Sequence, residues 1–259
     1  MVKKTIIFIH GFRGTHHGLQ LIADHLKNFD TIIPDLPGFA NGEVLDTHDL
    51  DSYVEWLGRF IAAQNLKTPP VLLGHSFGSI VSAAYAAKYP ETIEKLILVN
   101  PIGAPALEGP RGILTKLAVF YYVTGTKLPQ KLAHKWLASK TVTNIMSRTM
   151  TKTNDKQVKA FIKDQHLQYF SQFHSAKSVS EGFSTSVSNS VRDSAHNITV
   201  PTLLIVGDKD DITPLEKQEE LHKLFQNAEL KVIKGVGHLT HYETPDKIAY
   251  FVEGFIKPS

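Results

Sequence analysis

Hydrophobic positions along this 259-residue chain fall into two alternating kinds of run. The first kind is short, unbroken and rich in branched residues, and ends in glycine, proline or a polar turn, as strands buried on both faces of a parallel sheet do. Thr5-Ile6-Ile7-Phe8-Ile9 is the earliest, stopping at His10-Gly11-Phe12-Arg13-Gly14. Thr31-Ile32-Ile33 leads into Pro34-Asp35-Leu36-Pro37-Gly38, and Val71-Leu72-Leu73, Lys95 to Asn100, Thr202 to Gly207 and Glu229 to Lys234 follow. The second kind has helical spacing. Leu19, Ile22, Ala23 and Leu26 share one face, as do Leu50, Tyr53, Val54, Leu57 and Ile61, and Asp49 and Asp51 stand where the positive end of that helix favours them. Small residues from Ser79 to Ala87 continue the third strand into a helix, and helical patterns at Leu215 to Phe225 and Ile248 to Ile256 flank the sixth. This alternation predicts a mostly parallel, doubly wound sheet of about six strands, with reactive groups in loops at the strands' C-terminal ends.

The alternation stops between the fourth and fifth strands. From Pro101 to about Asn197 only helical patterns occur, such as Val158, Phe161, Ile162 and Tyr169, beside a serine-rich stretch from Ser175 to Ser194. An insertion of that length must carry its own structure, so residues 101–197 are expected to form a helical cap over the strand ends, with 1–100 and 198–259 as the core. Phe120, Tyr121, Tyr122, Trp136, Phe161, Tyr169, Phe170 and Phe173 are the aromatic residues there that could line a pocket or simply form its core.

Composition adds limits. The net charge of +3 is too mild to argue for nucleic acid, but it is unevenly spread: residues 101–197 hold 13 Lys and Arg against 5 Asp and Glu, a net +8, leaving the remainder at −5. A basic cap reads as a solvated helical surface, as a means of drawing in anionic substrates, or as a face resting on an anionic membrane through Ile113, Leu114, Leu117, Phe120 and Tyr121. The absence of cysteine excludes disulfides, thiolate catalysis and cysteine-based zinc sites. Met1-Val2-Lys3-Lys4 looks like the start of a signal peptide, but the apolar run after it is too short for one and no later stretch reaches membrane-spanning length, so a cytoplasmic protein without stable membrane anchoring is expected. His16 and His17 are adjacent and expected to diverge, which leaves no metal site, and no cofactor is implied.

The chemistry concentrates in three loops. Gly74-His75-Ser76-Phe77-Gly78 joins a strand to a helix through a bend so tight that only glycines fit on either side of the serine. Such a turn lifts the Ser76 hydroxyl above the sheet and aims the first N–H groups of the helix at the same point. A serine hydroxyl needs a base, and the base needs an orienting acid. Asp208, Asp210 and Asp211 follow the fifth strand, and Gly237-His238 follows the sixth, giving the order serine, acid, histidine.

With these residues assembled, the chain resembles the α/β-hydrolase superfamily, in particular its cap-bearing, single-domain branch of esterases, lactonases and C–C bond hydrolases. The resemblance runs from Ile6 through the last helix. It implies an α/β-hydrolase fold lacking the N-terminal β-hairpin of many relatives. The family's acid pattern falls on Gly207, Asp210 and Pro214, which makes Asp210 the orienting acid, and its Gly-His pattern falls on Gly237 and His238, with Glu243 and Pro245 matching the helix start beyond. Asn100 stands where some relatives keep an alternative acid and, as an amide, cannot serve. His10-Gly11-Phe12 resembles the family's oxyanion loop, so the N–H groups of Phe12 and Phe77 are the implied oxyanion donors and His10 a residue that holds the loop. His241 is expected at the pocket rim or on the surface. The loop after the second strand departs from the family pattern, with Phe39 and Ala40 in place of histidine and glycine. The implied activity is hydrolysis of a small-molecule carboxylic ester or related acyl compound by Ser76, His238 and Asp210 through an acyl-enzyme. The alternatives are a C–C bond hydrolase or menaquinone-pathway lyase of the same superfamily, or a ligand receptor with slow turnover. Nothing in the sequence speaks to oligomeric state.

Overall fold

The computed structural model describes residues 3–104 and 112–257, with 112–115 described by backbone alone. Six strands, β1 (Thr5–Ile9), β2 (Asp30–Ile32), β3 (Val71–His75), β4 (Lys95–Val99), β5 (Thr202–Gly207) and β6 (Ala228–Ile233), form one sheet in the order β2-β1-β3-β4-β5-β6. Every neighbouring pair is parallel. The chain winds outward from β1 to β2, then returns past β1 and proceeds from β3 to β6. The winding therefore reverses between β1 and β3, where open α/β sheets leave a crevice at the strands' C-terminal ends.

Register explains the unbroken apolar runs. Phe8, Leu73, Ile97 and Leu203 lie abreast across the sheet, and so do Ile9, Gly74, Leu98 and Leu204 one residue on. Successive side chains leave opposite faces, so each run must be apolar throughout to feed two cores. Ile6, Phe8, Leu73, Val99 and Ile205 pack under α1 (His16–His25) and α12 (Pro245–Ile256). Ile7, Ile9, Leu72, Leu96 and Leu204 pack under α2 (Leu50–Ala63), α3 (Phe77–Lys88) and α10 (Leu215–His222). Asp49 caps α2 by accepting the Ser52 N–H at 2.8 Å, an interaction worth about 1 kcal/mol in such positions.

Element boundaries differ from the sequence expectation by a residue or a turn. The second and sixth strands begin and end one residue earlier than expected. The fourth stops at Val99, because Asn100 turns to φ 44° and leaves the extended conformation.

Between β4 and β5 the described chain contains helices α4 (Gly112–Lys127), α5 (Gln130–Leu137), α6 (Lys140–Met150), α7 (Lys156–Tyr169), α8 (Ala176–Ser188) and α9 (Arg192–Ala195), and no strand among the described residues. One isolated bridge joins Phe39 to Phe173. Leu117 and Phe120 are 60% and 68% exposed, whereas Tyr121 packs against Trp136. The side chains of Ile113 and Leu114 lie outside the described residues. Lys116, Lys127, Lys131, Lys135, Lys140 and Arg148 are all exposed, so their charge lies on the outer surface. Among the described residues no helix is long and apolar enough to cross a membrane.

Candidate active site

Ser76 stands at the end of β3 with φ 53° and ψ −120°, a conformation that side-chain-bearing residues rarely adopt. Its N–H reaches Val99 O at 3.1 Å, which pins the turn to β4. The flanking glycines are sterically required: a Cβ on Gly74 would lie 2.4 Å from Gly78 O, and one on Gly78 would lie 2.1 Å from Ile9 O. The loop after β1 comes equally close, since a Cβ on Gly11 would be 3.2 Å from that of Ser76.

Loops after β5 and β6 bring the other predicted residues to this point. His238 Nε2 lies 2.8 Å from Ser76 Oγ, and His238 Nδ1 lies 2.7 Å from Asp210 Oδ2. An ionised carboxylate only accepts, so Nδ1 carries the proton and Nε2 presents its lone pair to the serine hydroxyl. Asp210 is 3% exposed and heavily bound: Ile212 N–H and Thr213 N–H donate to Oδ1 at 2.8 and 3.0 Å, and the Thr213 hydroxyl and Asn100 Nδ2 donate to Oδ2 at 2.5 and 2.8 Å. Burial pushes this carboxyl up, but the charge of His238 and the hydrogen bonds from His238 and Thr213 outweigh it and hold Asp210 well below the usual carboxylate range. The neighbouring carboxylates are engaged elsewhere. Asp208 accepts Gly235 N–H at 2.6 Å, and Asp211 pairs with Lys152.

Asn100 has a role that its sequence position did not reveal. It donates to Asp210 while its own Oδ1 accepts the Thr240 hydroxyl, so it ties the loops after β4, β5 and β6 together. His75 was likewise passed over. Its Nε2 donates to His238 O at 3.2 Å and so holds the backbone of that residue, while burial keeps its own imidazole neutral, with a pKa down at about 3.

The loop after β1 is anchored from both ends. His10 Nε2 accepts Leu36 N–H at 2.8 Å, and Nδ1 then donates to Gly11 O at 2.8 Å, a tautomer fixed by its partners and kept neutral by burial. Arg13, 1% exposed, donates to Phe170 O at 2.8 Å, Leu137 O at 2.9 Å and the Tyr122 hydroxyl at 3.2 Å, which binds the loop to α4, α5 and the end of α7. Among the described residues, neither Phe12 N–H nor Phe77 N–H donates to another group. The two departures from the family loop have a structural use. Phe39 is fully buried, edge-on to Phe12 at 5.6 Å, and Ala40 N–H donates to Gln172 O at 2.9 Å, so this loop closes onto the segment between α7 and α8.

One expectation about histidines fails and another holds only in part. His16 and His17 do not diverge: their rings lie 3.9 Å apart, with His17 stacked on Tyr169 and His16 Nδ1 held by Asp35 at 2.9 Å. Asp35 gathers the His16 side chain and backbone N–H into one place, which overrides the divergence of neighbouring side chains. His241 is not at the surface but borders the cavity over Ser76. It is 5% exposed, its ring tilted against that of His75 at 4.1 Å, because the short helix α11 (Thr240–Glu243) turns it inward. Among the described residues no group of three or more His, Asp or Glu converges as metal ligands would.

A cavity of about 240 Å³ opens over Ser76. Its walls are His10, Phe12, His75, Phe77 and His238 around the serine, with Met146, Met150, Phe170, Phe183, Val187, Ile212 and Leu239 beyond. None of the described lining residues is Lys, Arg, Asp or Glu. Of the aromatic residues marked in the sequence, only Phe170 lines it. Phe120 and Trp136 face outward, and Tyr122 is buried against Phe183. Phe183 and the i, i+4 pair Met146 and Met150 were not anticipated, although that helical spacing was visible.

Known proteins carry the same arrangement of elements. Lipase 3 of Moraxella sp. (strain TA144) is 28% identical over 252 residues, 93% of this chain and 73% of its own length. Monoacylglycerol lipase ABHD6 of Bos taurus is 25% identical over 98% of this chain and 75% of its own. Among solved structures, olei00960, a hydrolase from Oleispira antarctica, superposes with a TM-score of 0.82 at 17% identity, covering 100% of this chain and 93% of that one. A thermophilic esterase from Thermogutta terrifontis gives 0.79 at 20% identity, covering 98% and 90%. A family model described as "Serine aminopeptidase, S33" matches residues 1–245, and with the sheet order and loop placement above, the chain belongs to this α/β-hydrolase family as a carboxylesterase-like enzyme.

Proposed function

We propose that the protein cleaves a carboxylic ester in two steps. His238 Nε2 takes the Ser76 proton as Oγ attacks the ester carbonyl, and the ionised Asp210 stabilises the imidazolium that forms. The tetrahedral oxyanion is bound by the N–H groups of Phe12 and Phe77. Each donor of this kind is worth about 2.7–4 kcal/mol in the transition state. His238 then gives its proton to the leaving alcohol oxygen, and a water molecule, activated by the same imidazole, releases the acid from Ser76. The observation that carries this reading is the unbroken hydrogen-bond chain from Asp210 through His238 to Ser76, with two free N–H groups beside the serine. The named activities of the lipase and esterase relatives agree with it.

Helices α4–α9, within residues 101–197, act as the cap. Met146, Met150, Phe170 and Phe183 supply the wall opposite the sheet, and Arg13 fastens that wall to the loop carrying Phe12. The described lining carries no charged side chain, which favours a neutral substrate over an anionic one.

A fluorophosphonate probe is expected to label Ser76, and p-nitrophenyl hexanoate to be turned over with a burst. Ser76→Ala should abolish labelling and lower kcat by a factor on the order of 10⁴–10⁶. Labelling elsewhere, or turnover that survives in Ser76→Ala, would refute the proposal.

A further inference from the structure

Lys152, in the connection between α6 and α7, touches both of the loops that carry the acid and the base. Its backbone N–H donates to Glu243 Oε1 at 3.2 Å, on α11 just after His238. Its aliphatic stem lies across Gly237, since a Cβ on that glycine would stand 2.5 Å from Lys152 Cγ and 3.1 Å from Lys152 Cβ. Its ammonium pairs with Asp211. Gly237 immediately precedes His238, and Asp211 immediately follows Asp210.

The bond of 2.7 Å between His238 and Asp210 holds only while these two loops keep their separation. β6 is an edge strand, so the loop that leaves it has a strand neighbour on one side only. Lys209 N–H donates to Val236 O at 2.9 Å and joins the two loops once. Lys152 joins them again, at the residues next to the reacting pair. Gly237 is not at positive φ, so its backbone would accept a side chain, and the Lys152 stem occupies the place that side chain would take. The side chains of Lys152 and Asp211 are 32% and 40% exposed, and ion pairs this accessible add little to global stability. Alignment is the more sensitive quantity, because displacing a reacting group by about 1 Å can cost about 10²-fold in rate.

Lys152 itself does not line the cavity, so it acts through its neighbours. We propose that Lys152 is a positioning residue for the acid–base pair, a strut that fixes the loop carrying His238 against the loop carrying Asp210. This rests on the ester-cleaving reading above.

Three replacements in the full-length protein test it. Lys152→Met keeps most of the stem and removes the charge, Lys152→Ala removes both, and Lys152→Arg keeps both. On p-nitrophenyl acetate and p-nitrophenyl hexanoate alike, kcat should fall about threefold to tenfold in Lys152→Met and about 10–100-fold in Lys152→Ala, with KM within about twofold and Lys152→Arg within about threefold of wild type in kcat. The rate at which a fluorophosphonate labels Ser76 should fall by the same factors. Gly237→Ala places a methyl against the Lys152 stem and should lower kcat in the wild-type background, but cost markedly less in Lys152→Ala, where that space is vacated. An unchanged kcat in both Lys152→Met and Lys152→Ala would overturn the strut. So would a loss confined to the hexanoate and expressed in KM, which is what a disturbed cavity wall at Met150 and Ile212 would give. A loss that disappears once rates are scaled to the folded fraction, read by far-UV dichroism at the assay temperature, or strictly additive effects of Gly237→Ala and Lys152→Ala, would overturn it as well. Wild-type turnover of p-nitrophenyl hexanoate and labelling of Ser76 report the ester-cleaving reading separately. With both intact, any of these results removes the role of Lys152 alone.

Discussion

Replacing Asn100 separates the strength of the Asp210 network from the strain of the turn that carries it. Asn100 is fully buried, sits at φ 44°, and donates to Asp210 Oδ2 at 2.8 Å. A hydrogen bond to an ionised group contributes roughly 1.5–3 kcal/mol, and alanine held at positive φ costs roughly 1–2 kcal/mol more. Both variants also lose the Thr240 hydroxyl bond to Oδ1, worth roughly 0.5–1.5 kcal/mol, so Asn100→Gly, free of the backbone penalty, should lose roughly 2–4.5 kcal/mol and Asn100→Ala roughly 3–6.5 kcal/mol. At roughly 2–4 °C per kcal/mol for a chain of this size, Tm falls by roughly 6–26 °C for alanine and roughly 4–18 °C for glycine. Thermal unfolding followed by the fluorescence of Trp56 and Trp136, with urea titration at pH 7, measures both. The folded-state pKa of Asp210 is depressed, so its contribution is fully present above the unfolded carboxylate value of about 3.9 and is lost as pH falls through the folded value. The gap between wild type and Asn100→Gly should accordingly be widest near neutrality and narrow in acid. Stability of Asn100→Gly within about 0.5 kcal/mol of wild type at pH 7, or a gap that widens below pH 4, would refute the reasoning.

Two further outcomes follow from other buried groups. Arg13→Met removes three donors that fasten the loop after β1 to α4, α5 and the end of α7, each charge-assisted bond being worth roughly 1.5–3 kcal/mol. Cleavage of the 112–197 segment in limited proteolysis should accelerate at least about tenfold, with far-UV dichroism retained, and an unchanged cleavage rate would argue against Arg13 as that fastener. Burial holds His75 at about 3 and His166 at about 4, so below pH 6.5 the unfolded chain binds protons that the folded one refuses. Stability carried by these neutral imidazoles is present above pH 6.5 and should fall by about 1.4 kcal/mol per pH unit per histidine down to about pH 4. A Tm that stays flat between pH 6.5 and 4.5 would contradict this.

Much of the core was legible in the sequence because the signals are local. A strand buried on both faces must be apolar at every position, so the runs at Ile6–Ile9, Leu72–Leu73 and Leu203–Val206 announced themselves, and mostly parallel pairing followed from how such runs alternate with helices, whereas the strand order and the reversal beside β3 came only with the structure. Gly74-His75-Ser76-Phe77-Gly78 was readable for the same reason: the turn's own backbone excludes any Cβ at its glycines. Only the tertiary structure decided what depends on residues far apart in the chain. Asn100 meets Asp210 across 110 positions, Arg13 reaches Tyr122, Leu137 and Phe170, and Phe39 bridges to Phe173. His241, expected at the pocket rim or on the surface, borders the pocket but is buried because α11 folds it against His75. No periodicity encodes these meetings, since each needs several elements packed against one another before the partners come within hydrogen-bond range. The sequence by itself determined where a serine, a histidine and an aspartate could act; the meeting of Met146, Met150, His166 and Phe183 from three separate helices with the loops around Ser76 decided the shape and polarity of the cavity they face.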